Sequence, residues 1–143
     1  MRVREMMSSP VETIDLNEDA AVALRKMHEN RHRHLVVVEG KRAIGLLSEY
    51  DLKNESNVAG KPVSAFMSKD FVSVDPHTKV RECANLLRGR TIGCLAVLED
   101  EKPVGIVTIS DLLELIGKGT ERTVTKGQRR TIFSRGRHRK PVS

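Results

Sequence analysis

The 143-residue chain predicts a mixed α+β fold made of two copies of one strand, helix, strand, strand, helix unit, packed about a pseudo-twofold axis. The first observation is an internal repeat. Residues 3 to 52 recur at 63 to 112 without a gap, pairing Val3/Val63, Met7/Met67, Ser8/Ser68, Leu35/Leu95, Val37/Val97, Gly45/Gly105 and Asp51/Asp111. The second is that each copy alternates apolar positions at helical spacing with short β-branched runs. The third is that two copies are too few for a solenoid, which needs at least three stacked units, so a closed pair sharing one core is expected, with function between the copies. Residues 1–57 then form the first copy, 58–117 the second, and 118–143 a basic tail.

Taken in order, Val11 to Ile14 and Phe71 to Val74 read as the opening strands. Ala20, Ala23, Leu24 and Met27, like Val80, Cys83, Ala84 and Leu87, fall at i, i+3, i+4 and i+7, which predicts an amphipathic helix in each copy. Asn17 or Glu18 is expected to begin the first of these helices and Thr78 the second. Leu35 to Val38 and Leu95 to Leu98 follow as strands, turn through Glu39-Gly40-Lys41 and Glu99-Asp100-Glu101, and return as Ala43 to Leu47 and Val104 to Val107. A last helix is predicted from Ser48 to Glu55 and from Thr108 to Ile116, with Gly117 as its stop. Asn54 to Lys61 is the linker. The second of these helices carries Leu112, Leu113, Leu115 and Ile116, more apolar surface than one buried stripe requires, so a homodimer is expected.

Composition narrows the classes. With 38% hydrophobic and 31% charged residues but only 3% aromatics, the chain can bury one ordinary core filled by aliphatic side chains. No apolar run approaches the roughly 18 residues of a membrane span, and the charged opening Met1-Arg2-Val3-Arg4-Glu5 lacks the apolar stretch of a secretory signal, so a cytoplasmic protein is expected. Cys83 and Cys94 occupy apolar positions of the repeat and read as buried free thiols. His28, His32 and His34 lie near one another, but no nearby carboxylate completes a ligand spacing and Arg31 and Arg33 add repulsion, so no metal is expected. Gly117-Lys118-Gly119-Thr120 lacks the spacing of a phosphate loop, and no nucleophile elbow or catalytic carboxylate pair is present. The chain reads as a non-enzyme.

The chemistry concentrates in Gly45-Leu46-Leu47-Ser48-Glu49-Tyr50-Asp51 and its counterpart Gly105-Ile106-Val107-Thr108-Ile109-Ser110-Asp111. In each, a strand glycine leads to a hydroxyl residue at a helix start, with a carboxylate three positions later. One reading is structural: Ser/Thr-x-x-acid is a capping box that satisfies free backbone N–H groups. The other is a ligand site, in which the helix start holds an anion, the carboxylate accepts from a ribose diol, and the glycine admits a flat base.

The duplicated unit, covering Val3 to about Gly117, resembles the cystathionine β-synthase (CBS) domain, and the tandem resembles a Bateman module of the stand-alone prokaryotic or archaeal type. That resemblance implies a regulatory protein that binds AMP, ADP, ATP or S-adenosylmethionine between its copies, needs no other cofactor, and signals to a regulated partner protein. It also implies one cleft formed by Thr108, Ser110 and Asp111 with Val11, Glu12, Thr13, Arg33 and His34. There Asp111 would grip ribose, Thr108 and Ser110 would face phosphate with the basic pair, and the Val11 to Thr13 backbone would meet adenine. The second cleft would join Ser48, Tyr50 and Asp51 to Phe71, Val72, Ser73, Gly93 and Cys94. Gly93 and Cys94 stand where the first cleft has its basic pair, so weaker phosphate binding is expected there. Tyr50 is expected to pack rather than stack, and Arg31 to His34 to form a phosphate-facing or solvated loop.

The net charge of +6 resides in the tail, where nine Lys/Arg face Glu121 alone. Arg129, Arg130, Arg135, Arg137, Arg139 and Lys140 give it two readings: a solvated extension, or an arm that neutralises nucleic-acid phosphates. The alternative to a ligand sensor is accordingly a dimeric adaptor with empty clefts and a nucleic-acid-binding tail.

Overall fold

Continuous apolar runs need both faces covered, and that requirement organises the fold. The computed structural model describes residues 1–53, 57–90 and 93–123, with side chains described as far as Gly117 except that of Arg90. Met1–Asp111 forms one unit, which contains both sheets, and the chain from Leu112 forms another.

In the first copy, β1 (Thr13–Asp15) leads through α1 (Ala20–Asn30) to β2 (His34–Glu39), which turns into β3 (Arg42–Ser48) and α2 (Glu49–Lys53). The second copy repeats this with β4 (Ser73–Val74), α3 (Val80–Arg90), β5 (Cys94–Glu99), β6 (Lys102–Thr108) and α4 (Ile109–Thr123). Each copy holds a three-stranded sheet in chain order, its first pair parallel across the helical crossover and its second an antiparallel hairpin. Each hairpin shifts register at equivalent places, between Val37 and Val38 and between Val97 and Leu98. The repeat is thus preserved down to its bulges.

Alternation along β2 assigns its faces. Leu35 and Val37 pack with Ala20, Ala23, Met27, Leu47 and Leu52, whereas Val36 joins Cys94 and Ala96 of β5 in a core between the copies. All of these side chains are buried.

The leading segment of each copy is exchanged. Val3 N–H donates to Thr78 O at 2.8 Å and Val80 N–H to Met1 O at 3.1 Å, while Val63 N–H donates to Glu18 O at 2.8 Å and Ala20 N–H to Lys61 O at 2.8 Å. Val63 completes the core of the first copy, and Val3 is equally inaccessible. Each lead forms a 3₁₀ turn, Val3–Glu5 and Val63–Ala65, then an isolated bridge to a strand of the other copy, Ser8 to Ile106 and Ser68 to Leu46.

This exchange corrects the reading of the two strand glycines. An added Cβ on Gly45 would meet Met67 Sδ at 2.7 Å and Ser68 O at 3.1 Å, and one on Gly105 would meet Met7 and Ser8 O. The space freed by each glycine is filled by a methionine of the chain itself, not left for a base.

The helix ends also differ from expectation. Asp19, not Asn17 or Glu18, caps α1, accepting from Ala21 N–H at 2.8 Å, while Glu18 N–H is bound to Asp15 O in the preceding turn. Thr78 precedes its helix by two residues and its hydroxyl accepts from Asp75 N–H at 3.0 Å. Gly117 does not stop α4, which runs on to Thr123, because helical φ and ψ are open to glycine at modest cost. No described helix is long and apolar enough to cross a membrane. The predicted linker residues 54–56 and the tail residues Arg129, Arg130, Arg135, Arg137, Arg139 and Lys140 lie outside the described residues.

Candidate functional site

Both Ser/Thr-x-x-Asp segments are capping boxes. Thr108 N–H donates to Asp111 Oδ2 at 2.9 Å and Asp111 N–H to Thr108 Oγ1 at 3.1 Å. Ser48 and Asp51 repeat the pair at 3.0 and 3.1 Å. Capping leaves capacity, since each carboxylate accepts several hydrogen bonds and the backbone engages one oxygen. Among the described residues the other oxygen of Asp111 accepts only a long contact from Ser8 Oγ, at 3.5 Å.

The main cleft is a cavity of about 500 Å³ between the copies. Val11, Glu12, Arg33 and His34 line it from the first copy and Thr108 and Ser110 from the second, together with Arg31 and His32. Ser8, Pro10, Gly93, Ile106 and Ile109 complete the wall and were not assigned to this cleft from sequence. Recurrence of Ser8 as Ser68 was the signal available for one of them. Two assigned residues stand off the wall. The carbonyl of Thr13 accepts from Lys26 Nζ at 2.6 Å, and Asp111 lies behind Thr108 in its cap. Glu12 lines the cavity with its carboxylate tied to α1, 3.5 Å from Lys26 Nζ and 3.4 Å from Asn30 Nδ2.

The basic loop is held at both ends. Arg31 terminates α1 in the left-handed region at φ 57°, His32 N–H donates to Met27 O at 2.9 Å, and Glu49 N–H donates to Arg33 O at 2.8 Å. Among the described residues neither guanidinium has an ion-pair partner. Such a loop presents cations to the cleft with little backbone entropy left to lose.

The second cleft encloses about 160 Å³. Ser48, Asp51, Phe71, Val72, Gly93 and Cys94 line it, joined by Leu46, Leu47, Ser68, Asp70 and His34. Ser73 does not reach it. Tyr50 neither lines it nor packs: it is 74% exposed and borders a separate cavity with Arg33, Glu49 and Lys53. Asp70 stands where the main cleft has Pro10, so the smaller cleft is also the more acidic.

His34 belongs to both clefts, which corrects its assignment to the main one alone. Its Nε2 lies 3.6 Å from the position a Cβ on Gly93 would take, and Gly93 lines both cavities too. Burial lowers the His34 pKa below its ordinary value, opposed by the Asp51 carboxylate and reinforced by Arg33. Cys94, on the second cleft's floor, is pushed up to about 12 by burial, and Cys83 is raised by burial and by Glu82. Both are free and buried, as expected.

The sequence profile of the CBS domain matches twice, at residues 3–57 and 63–118. The chain belongs to the CBS domain family. A CBS domain-containing protein of Dictyostelium discoideum is 30% identical over 135 residues, spanning 83% of this chain and 93% of that protein. The CBS domain pair of protein MJ0100, solved in complex with 5′-methylthioadenosine and S-adenosyl-L-methionine, superposes with a TM-score of 0.77 at 21% identity, over 83% of this chain and 98% of that one. CBSX2, solved in complex with AMP, gives a TM-score of 0.72 at 23% identity, over 82% and 96% of the two chains. The two CBS repeats of this chain therefore adopt the known CBS pair fold.

Proposed function

We propose that this CBS pair is a regulatory, non-catalytic module that holds an adenosine-containing ligand, AMP, ADP, ATP or S-adenosylmethionine, in its main cleft and passes ligand state to a partner protein. The observation that carries this is the meeting, in one cavity of about 500 Å³, of Arg31, Arg33 and His34 from the first copy with Thr108 and Ser110 at a helix start of the second. Cations from one copy and a helix N-terminus from the other suit a phosphate or carboxylate, and the Asp111 oxygen left outside the cap, held by no more than the long Ser8 contact, suits a ribose diol. The complexes of CBSX2 with AMP and of the MJ0100 pair with adenosyl ligands support the same choice on the same fold.

The second cleft is assigned a nucleoside-like ligand or none. About 160 Å³ is small for a nucleotide, and Asp51 and Asp70 oppose phosphate. Leu113 and Ile116 of α4, 62% and 63% exposed, are the surface assigned to a homodimer. Calorimetric titration with AMP, ADP, ATP, S-adenosylmethionine and NADH tests the sensor reading. Absence of heat with every one of them would sink it.

A further inference from the structure

A second cavity adjoins the main cleft on its cationic side. It encloses about 400 Å³ and is lined by Met27, His28, Arg31, His32, Arg33 and Glu49. Three of these six, Arg31, His32 and Arg33, also line the main cleft, so the basic loop is the wall common to both. Its carboxylate is already balanced: Glu49 Oε2 lies 3.0 Å from His28 Nε2 and Oε1 lies 3.5 Å from Lys53 Nζ. The guanidiniums are not balanced, as neither has an ion-pair partner among the described residues.

A cleft for a nucleoside monophosphate needs cations at one point. Here they continue past the cleft, on a loop whose backbone is pinned by His32 N–H to Met27 O and Glu49 N–H to Arg33 O. Arginine forks two positions apart, at Arg31 and Arg33, suit successive phosphoryl groups, since each offers paired donors to a tetrahedral oxyanion. We propose that Arg31, His32 and Arg33 form a bridge that carries the phosphate chain of an adenosine polyphosphate out of the main cleft into the adjoining cavity, so that the site prefers ATP and ADP to AMP. This rests on the main cleft holding the adenosine.

The test is calorimetric titration of the full chain with AMP, ADP, ATP and inorganic tripolyphosphate at one ionic strength, in wild type and in Arg31→Asn and His32→Ala. Asparagine tolerates the left-handed backbone of position 31, and position 32 is exposed, so both variants should keep the wild-type melting profile. Affinity is expected to rise about tenfold from AMP to ATP, with ADP between. Either variant should shrink that ratio to within about threefold by losing more affinity for ATP than for AMP. Equal affinity for AMP and ATP in wild type would overturn the bridge, as would equal losses for both nucleotides in the variants. Tripolyphosphate binding as tightly as ATP would also overturn it, because the adenosine cleft would then contribute nothing. If AMP and ATP both fail to bind, the sensor reading itself falls, an outcome distinct from binding without chain-length preference.

Discussion

Met7 lies against Gly105 closely enough to fill the space a side chain there would need, with Ser8 O 3.2 Å from the same point. A residue of the first lead thereby closes a strand of the second copy. Met67 does the same over Gly45. Gly105→Ala is expected to destabilise by about 1–3 kcal/mol through overpacking, read as a lower urea midpoint at constant slope. Met7→Ala should restore part of the loss, and a double-mutant cycle should return a coupling free energy clearly different from zero. Additivity of the two changes would show that the contact is unimportant.

The exchange makes Val63 a core residue of the first copy. Val63→Ala removes two buried methyl groups and should cost about 2 kcal/mol, with Val3→Ala similar. Substituting the exposed Lys61 by alanine should cost less than about 0.5 kcal/mol, since its backbone carbonyl and not its side chain makes the bond to Ala20. Thermal melts of the three variants separate core from linker. Equal melting temperatures would mean that the lead does not support the core.

Asp51 and Asp111 cap in the same way, but Asp51 lines the second cleft whereas Asp111 stands off the wall of the main one. Each alanine substitution should cost about 1 kcal/mol from the lost cap. Asp111→Ala is expected in addition to abolish nucleotide binding in the main cleft, whereas Asp51→Ala should leave it. Paired melts and titrations give the answer. Equal retention of binding in both variants would reduce Asp111 to a cap alone.

The elements themselves were legible because period and repeat reinforce one another: Leu35 and Val37 recur as Leu95 and Val97, and α1 and α3 each follow one apolar stripe. Exchange of the leads was not. Val3, Met6 and Met7, like Val63, Phe66 and Met67, fill only a single turn, and which copy they enter depends on long-range closure rather than local pattern. The misplaced cap has a local cause. Asp15, Asn17, Glu18 and Asp19 are all competent turn or cap residues, and Asp19 is selected because its carboxylate also holds Gly60 N–H at 3.0 Å. In the site, unequal clefts followed from Arg33 and His34 facing Gly93 and Cys94 across the repeat. That His34 would line both required the copies to be brought together.

Cys83 and Cys94 should be inert in the native protein. Thiolate is the reactive form, and burial raises both thiols, Cys94 to about 12, so very little thiolate exists at pH 8. Titration with an aromatic disulfide reagent should release its chromophore only on the timescale of unfolding. Rapid release of one equivalent from native protein would contradict the burial of Cys94.

His34 should make both stability and binding depend on pH. Its folded pKa is lowered, chiefly by burial, so the unfolded chain binds the proton more readily. Stability contributed by the neutral imidazole is therefore present above the unfolded value near 6.5 and is lost as pH falls toward the folded one. A phosphate in the main cleft acts oppositely: it favours the imidazolium, so nucleotide binding should take up a proton at His34 and tighten as pH falls from 8 to 6. The ligand's own phosphate, with a second pKa near 6, titrates over part of this range. It does so equally with His34→Gln, so the difference between the two proteins isolates the imidazole. Calorimetry in buffers of contrasting ionisation enthalpy should show more proton uptake in wild type than in His34→Gln. In the ligand-free variant the loss of stability between pH 7 and 5 should be correspondingly smaller. Identical proton uptake in the two proteins would remove His34 from the phosphate's surroundings and leave Arg31 and Arg33 as its cationic contacts.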